Sequence, residues 1–292
     1  MQDSLQVGDL SLQWGQRTYV MGILNITPDS FSGDGLAGKG PENILAQARD
    51  YVDHGVDILD VGGESTRPGA EQVSADQELD RVIPVVEALA GEFETPISID
   101  TYKARVAREA VRAGAQLVND VWGLRADPEM AGLVAEKDLP VVLMHNRSDP
   151  SSAQVKEQLG GRYVGIEYQN LLEDVRRELL ESVKIAHRAG IQNRQLILDP
   201  GIGFGKTVSQ NLELLDRLAE IRDLGYPVLL GPSRKSFIGY TLDLPMEDRL
   251  EGTAAAVAVG ITRGADIVRI HDVREMVRIA RMTDAIVRRE TS

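Results

Sequence analysis

The chain has no cysteine in its 292 residues. Disulfides, thiol nucleophiles and thiolate metal sites are therefore excluded. No apolar run approaches the ~18 residues that a membrane span needs. The opening Met1-Gln-Asp-Ser-Leu-Gln-Val-Gly8 lacks a basic start followed by an apolar run, so no secretory leader is expected and the cytoplasm is the expected compartment. Positive charge is also short: 32 Lys and Arg against 45 Asp and Glu leave a formal charge of −13. Nucleic acid and anionic membrane are thus disfavoured as partners. An anionic substrate would need cations gathered at one place against the field of the whole chain.

Two phosphate-binding signatures are absent as well. Asp199-Pro-Gly-Ile-Gly-Phe-Gly-Lys-Thr207 suggests a P-loop, but G-x-x-x-x-G-K-[ST] requires Gly where Pro200 stands. A dinucleotide fingerprint begun at Gly201 fails at Lys206, where its third Gly should be. What remains is a buried strand, Leu196-Ile-Leu198, ending on an acid and passing through a tight glycine loop into a helix.

That design recurs. Residues 4–17 read as a small hairpin around Val7-Gly8-Asp9. Apolar strands then end at Asn25, Asp60, Asp100, Asn119-Asp120, His145, Asp199, Gly231 and Arg269-Ile-His271, each followed by an amphipathic helix. Gly55, Gly114, Gly190, Gly225 and Gly264 stand just past helical segments, where a left-handed residue closes a helix. Eight β–α units without a linker predict one (β/α)₈ TIM barrel spanning 1–292, with residues 1–17 as a hairpin extension. The strand-end residues would then meet at one mouth. The connection from Asn146 to Tyr163 is the least regular and is a candidate lid.

A polar residue at a strand end is most often a turn former or cap, the reading taken here for Asp60 and Asp120. His54 and His187 sit in last helical turns and are assigned to structure. His145 is open between core packing and function. No His and carboxylate cluster has metal-cage spacing. Arg67, Lys206, Lys235, Arg269 and His271 lie on strand ends or the loops beyond, and together suggest an anion site. Asp100, Asn119 and Asp199 face them as hydrogen-bonding groups. A ligand with an amide-and-amine edge and a phosphate group would match this division.

The segments Gly22-Ile-Leu-Asn-Ile-Thr-Pro-Asp-Ser-Phe-Ser32, Val61-Gly-Gly-Glu-Ser-Thr-Arg-Pro-Gly69, Ile99-Asp-Thr101, Asn119-Asp-Val121, Asp199–Lys206, Ser233-Arg-Lys-Ser-Phe237 and Arg269-Ile-His271 closely resemble the dihydropteroate synthase family, the sulfonamide targets of the folate pathway. The likeness runs in order from about residue 18 to the end. Leu143-Met-His-Asn-Arg147 departs slightly from the His-Met pair common there. The resemblance implies condensation of a 7,8-dihydropterin-6-ylmethyl diphosphate with 4-aminobenzoate, releasing diphosphate, in a homodimer.

By the same resemblance Asp100, Asn119, Met144, Asp199, Lys235 and Arg269 bind the pterin. Asn25, Thr66, Arg67, Arg269 and His271 bind the diphosphate, and Asn25 holds Mg²⁺ on it. Phe31, Pro68, Phe204, Lys235 and Ser236 shape the aminobenzoate site. The loops Asn25–Ser32 and Ser65–Gly69 are expected to close around diphosphate. Two rivals stand beside this reading: a pterin-binding paralogue without transfer activity, and a pterin-dependent methyltransferase with a corrinoid partner. The Thr66-Arg67 and Ser233–Phe237 loops argue against the first. The second would not need the Glu64–Gly69 loop.

Overall fold

A computed structural model describes residues 3–26, 41–65, 72–156, 158–164 and 167–288. Phe31, Thr66, Arg67 and Pro68 lie outside the described residues. The strands in chain order are β1 (Ser4–Val7), β2 (Leu10–Gln13), β3 (Tyr19–Asn25), β4 (Ile58–Gly62), β5 (Ile97–Asp100) and β6 (Leu117–Asp120). They continue as β7 (Val141–Met144), β8 (Ala153–Lys156), β9 (Gly160–Tyr163), β10 (Leu196–Asp199), β11 (Leu229–Leu230) and β12 (Ile267–Ile270). The helices are α1 (Pro41–Asp53), α2 (Ala75–Glu92), α3 (Ala104–Ala113), α4 (Met130–Glu136) and α5 (Leu171–Arg188). They are followed by α6 (Val208–Asp216), α7 (Ala219–Arg222), α8 (Ser236–Leu242), α9 (Leu250–Thr262) and α10 (Val273–Val287).

Eight strands form one parallel sheet in the order β10-β7-β6-β5-β4-β3-β12-β11. Its two ends meet where Leu198 bridges Val228 and the Leu198 N–H donates to Pro227 O at 2.9 Å, which closes the barrel. The expected barrel and hairpin are both present. Closure leaves no free sheet edge and gives every strand a buried face on each side, which is why these runs are continuously apolar. The five helix-closing glycines have φ of 87°, 123°, 96°, 86° and 101° at Gly55, Gly114, Gly190, Gly225 and Gly264, a region that disfavours any side chain. Each lets the chain reverse directly into the next strand.

The inside of the barrel is stratified. Met21, Ile58, Leu117, Val142, Ile197, Leu229 and Ile267 form its lower layer and share one cluster with Leu5, Val7 and Leu12 of the hairpin. The β1–β2 hairpin, turning at Gly8-Asp9 between paired Val7 and Leu10, is thus an apolar plug in the base. The larger cluster lies between the strands' outer faces and the helices. Side chains two residues on along each strand point into the same space. Inward positions above the apolar layer are therefore Ile23 and Asn25, Asp60 and Gly62, Ser98 and Asp100, Asn119, Met144, Asp199, Gly231, and Arg269 and His271.

Residues 146–163 differ from the expected irregular connection. They contain the antiparallel β8–β9 hairpin, docked on α8. The Tyr240 O–H donates to Gly160 O at 3.2 Å, the Arg249 guanidinium donates to Leu159 O at 3.0 Å, and Arg162 lies 4.9 Å from the Tyr240 ring centre. β8 is largely exposed and β9 is mostly half-buried, so no hydrophobic alternation marks them in the sequence.

Leu12 is fully buried in the basal plug. Leu12→Ala should destabilise the chain by about 2–4 kcal/mol through lost transfer energy and a residual cavity. Urea unfolding gives the loss, and turnover at 25 °C should stay within twofold of wild type because the plug is at the end opposite the mouth. A kcat change as large as the loss in folded population would contradict a purely structural plug.

Candidate active site

The polar inward residues converge at the strand C-termini. The Arg269 Nε–H donates to Asp60 Oδ2 and its Nη2–H to Asp100 Oδ2, each at 2.6 Å. The Asn119 amide donates to Asp60 Oδ2 at 3.4 Å. One guanidinium is thus held between carboxylates from two neighbouring strands, a charge-assisted arrangement in a dry setting. Burial pushes the Asp100 carboxyl up to about 7; Arg269 opposes that shift and the Asp60 charge adds to it. Arg269 stays charged, because its two carboxylates outweigh the burial that disfavours its charge.

Asp199 is 5% exposed at the end of β10. Its Oδ1 accepts the Gly201 N–H at 2.7 Å, and burial raises its pKa against the pull of Lys235. Lys235, just before α8, donates to Ile202 O and lies 4.6 Å from the Phe204 ring centre. Burial brings its pKa down to about 8, with Asp199 opposing. Ser236 opens α8 beside it. The glycine loop has a reason for each of its glycines. Gly201, Gly203 and Gly205 have φ of 71°, 83° and 63°. A Cβ at Gly201 would fall 1.8 Å from His145 O, and one at Gly205 2.3 Å from the Arg147 carbonyl carbon. The loop lies flat on the end of β7, which a side chain would prevent.

On the far side of the mouth, Asn25 Nδ2 approaches His271 Nε2 at 3.4 Å, and His271 Nδ1 is 3.0 Å from Ser233 Oγ. An amide N–H facing Nε2 makes that nitrogen the acceptor, so Nδ1 carries the proton and points to Ser233. The Ser233 hydroxyl also accepts the His271 backbone N–H at 3.1 Å. The Tyr51 O–H donates to His271 O at 2.8 Å and fixes the strand end. Among the described residues there is no group of three or more His, Asp or Glu that could hold a metal. Asn25, with its amide nitrogen turned to His271, keeps its oxygen as a single neutral donor. That donor suits Mg²⁺ held mainly by phosphate and water, and not one caged by protein.

The chain matches the pterin-binding enzyme family model over residues 21–271. The dihydropteroate synthase of Clostridium beijerinckii is 49% identical over 286 residues, 98% of this chain and 100% of that one. A crystal structure of the Clostridium difficile dihydropteroate synthase with pteroic acid is 48% identical, with a TM-score of 0.85 over 94% of this chain and 99% of that chain. The Xanthomonas albilineans dihydropteroate synthase, solved with 4-aminobenzoic acid, is 39% identical with a TM-score of 0.86, covering 98% of both chains. The chain belongs to the pterin-binding enzymes, among the dihydropteroate synthases. It is an alkyl-group transferase of folate biosynthesis.

Most sequence-stated positions of this dihydropteroate synthase fold meet at the mouth: Asn25, Asp100, Asn119, Met144, Asp199, Arg269 and His271 face inward, with Phe204, Lys235 and Ser236 on the loops above. Two expectations change, and the open assignment of His145 is resolved. Asp60, assigned to structure, lies fully buried in the site as the counter-ion of Arg269. Its position two residues after inward Ile58 is the sequence signal that separates it from Asp120. Asp120 faces outward and caps the turn, accepting the Trp122 and Leu124 N–H at 2.8 and 2.7 Å. Lys206, grouped with the rim cations, is 1% exposed and turned into the loop. His145 packs with it and is pushed down to about 3 by burial and the Lys206 charge, so it is neutral. His54 and His187 are structural, bonded to Asp50 O and Asn193 Oδ1 at 2.7 Å each. Ser233, which orients His271, was not singled out.

The raised Asp100 carboxyl has a consequence for stability. It keeps its proton to about pH 7 in the folded chain but loses it near the ordinary carboxyl value of 3.8 when unfolded. The folded state therefore binds more protons between about pH 4 and 7, and this contribution, complete below that window, is lost as pH rises through it. Between pH ~4.5 and ~7.5 the wild type should lose roughly 2–4 kcal/mol more stability than Asp100→Asn, by urea unfolding. Parallel pH profiles for the two proteins would refute the shifted carboxyl.

Proposed function

We propose that this chain joins the methylene carbon of (7,8-dihydropterin-6-yl)methyl diphosphate to the amine of 4-aminobenzoate, and that the described mouth carries the pterin. The observation that supports it is the Asp60–Arg269–Asp100 clamp facing Asn119, Asp199 and Lys235 inside one barrel. Asp199 offers a carboxylate to the ring N–H and 2-amino group. Asp100 and Asn119 take the other ring edge, Met144 packs below it, and the Arg269 plane covers the heterocycle. Lys235 donates to the ring carbonyl or a ring nitrogen.

His271 and Asn25, set apart from that edge, face the diphosphate together with the outer side of Arg269; Thr66 and Arg67, outside the described residues, are assigned to it by resemblance to the family. Asn25 would be the protein donor to a Mg²⁺ held on the diphosphate, and that ion would supply charge stabilisation for the leaving group. Phe204, Lys235 and Ser236 line the aminobenzoate side, its carboxylate toward the start of α8; Phe31 and Pro68, outside the described residues, are assigned to the same substrate by resemblance to the family. The C–O bond breaks with its electron pair leaving on diphosphate, and the electron-rich pterin supports the cation-like carbon. The aniline nitrogen then forms the C–N bond and its proton leaves to solvent. No general base is required, because the arylamine is nucleophilic as it stands. Charge stabilisation of the departing group dominates.

A homodimer belongs to the same proposal. α9 is apolar around most of its circumference, and Val259 is 41% exposed on its outer side. It packs beside α10, where Met282 and Ile286 are 63% and 53% exposed. Such a face fits a second copy of the chain. By resemblance to the family, the chain acts in the cytoplasm as one unit over 1–292. No helix among the described residues is long and apolar enough to cross a membrane.

Release of diphosphate and formation of dihydropteroate from the two substrates tests the reading. Pterin binding without turnover would instead indicate the inactive paralogue, and methyl transfer to a corrinoid partner the methyltransferase. Asp199→Asn should weaken free-pterin binding by about 2–4 kcal/mol, since an amide N–H would face a ligand donor; unchanged calorimetric affinity would refute its assignment. His271→Ala should lower turnover at least tenfold yet leave free-pterin affinity within threefold, and equal losses of both would overturn the division of the site. Val259→Arg should sediment as a monomer, and a monomeric wild type would remove the dimer from the proposal.

A further inference from the structure

One buried lysine has no part in the chemistry just described. Lys206 Nζ lies 2.9 Å from Gly201 O, 3.0 Å from Phe204 O and 2.9 Å from His145 Nδ1. On the other side of the imidazole, His145 Nε2 is 3.1 Å from Glu178 Oε2. Glu178 is held ionised by His145 and Arg147, which outweigh its partial burial. A carboxylate facing Nε2 requires Nε2–H, so Nδ1 must accept. Three acceptors then surround Nζ, which satisfies an ammonium completely and a neutral amine only in part. Burial disfavours that charge and holds the Lys206 pKa well below its ordinary value, with the Asp199 and Glu178 carboxylates opposing; the three acceptors fix where Nζ sits.

The two carbonyls bracket the loop that forms one wall of the site. Gly203 is held separately, its N–H donating to Asn211 Oδ1 at 2.6 Å, and Gly205 separately, its carbonyl accepting from the Tyr168 O–H at 2.9 Å. The path of the loop therefore does not hang on Lys206 alone. What Lys206 fixes is the peptide of Phe204, whose ring lies against Lys235, and the peptide of Gly201, whose neighbour Ile202 accepts from Lys235.

We propose that Lys206 is a positioning residue for the transfer. Strutted by His145 and Glu178, it holds the Phe204 peptide, and with it the ring that walls the arylamine substrate. This inference rests on the reading of the site given above. It separates Lys206 from the rim cations, since it acts on the arylamine side through the backbone and touches no phosphate.

The test is steady-state kinetics on the full chain with both substrates, with calorimetry of a free pterin. If the wild type forms no dihydropteroate, the reading of the site is at fault. If it does, Lys206→Met should raise KM for 4-aminobenzoate at least tenfold while the Kd of free pterin changes less than threefold. In a Phe204→Ala background the same substitution should raise that KM less than twofold further, because the strut acts through that ring. A folded Lys206→Met with an unchanged KM, equal losses for pterin and arylamine, or full additivity with Phe204→Ala would each overturn the proposal. Should Lys206→Met fail to fold, His145→Leu removes one of the three acceptors. A threefold or larger rise in the aminobenzoate KM then supports the strut, and no rise overturns it.

Discussion

Two carboxylates and one guanidinium inside a hydrophobic barrel set the terms for everything at the mouth. Asp60 and Asp100 could not both be buried without a cation between them, and Arg269 reaches both from across the barrel. One positive charge serves two acids, and burial, with the Asp60 charge adding to it, raises the Asp100 carboxyl against the pull of Arg269. A heterocycle offering N–H groups can pair with these acids, and a purely apolar ligand cannot. Placement of the clamp depends in turn on the apolar layer below it. Leu117, Ile197 and Ile267 fix the strands whose next inward residues are Asn119, Asp199 and Arg269.

Parity along each strand made much of this legible. Hydrophobic runs ending in polar residues, with glycines after the helices, specify a closed parallel barrel and a single functional rim. The same parity separates Asp60 from Asp120, yet a strand-end rule that ignores side-chain direction treats them alike. Lys206 was misplaced for a related reason. Its position after a glycine loop says it is near the mouth, but whether it turns outward or under the loop depends on the acceptors that fold back beneath it. Those acceptors include His145, 61 positions away in sequence. The β8–β9 hairpin was hidden because a ribbon docked by a few polar contacts needs no alternating apolar face.

The glycine loop shows how far composition goes. Three glycines within five residues announce a shaped backbone. At Gly201 and Gly205 the necessity comes from the carbonyls of His145 and Arg147, against which the loop lies, and at Gly203 from its positive φ of 83°. The sequence thus marks the shape, while the partner strand supplies the cause.

The base of the barrel is closed by the N-terminal hairpin, and α10 returns to the same end, where Asp284 accepts the Thr18 N–H at 2.7 Å. Both the first and the last described segments therefore lie at the pole away from the substrates. A molecule anchored to a surface through either segment would stand with its mouth toward solution, so a tethered preparation can sample small ligands without its support shadowing the entrance.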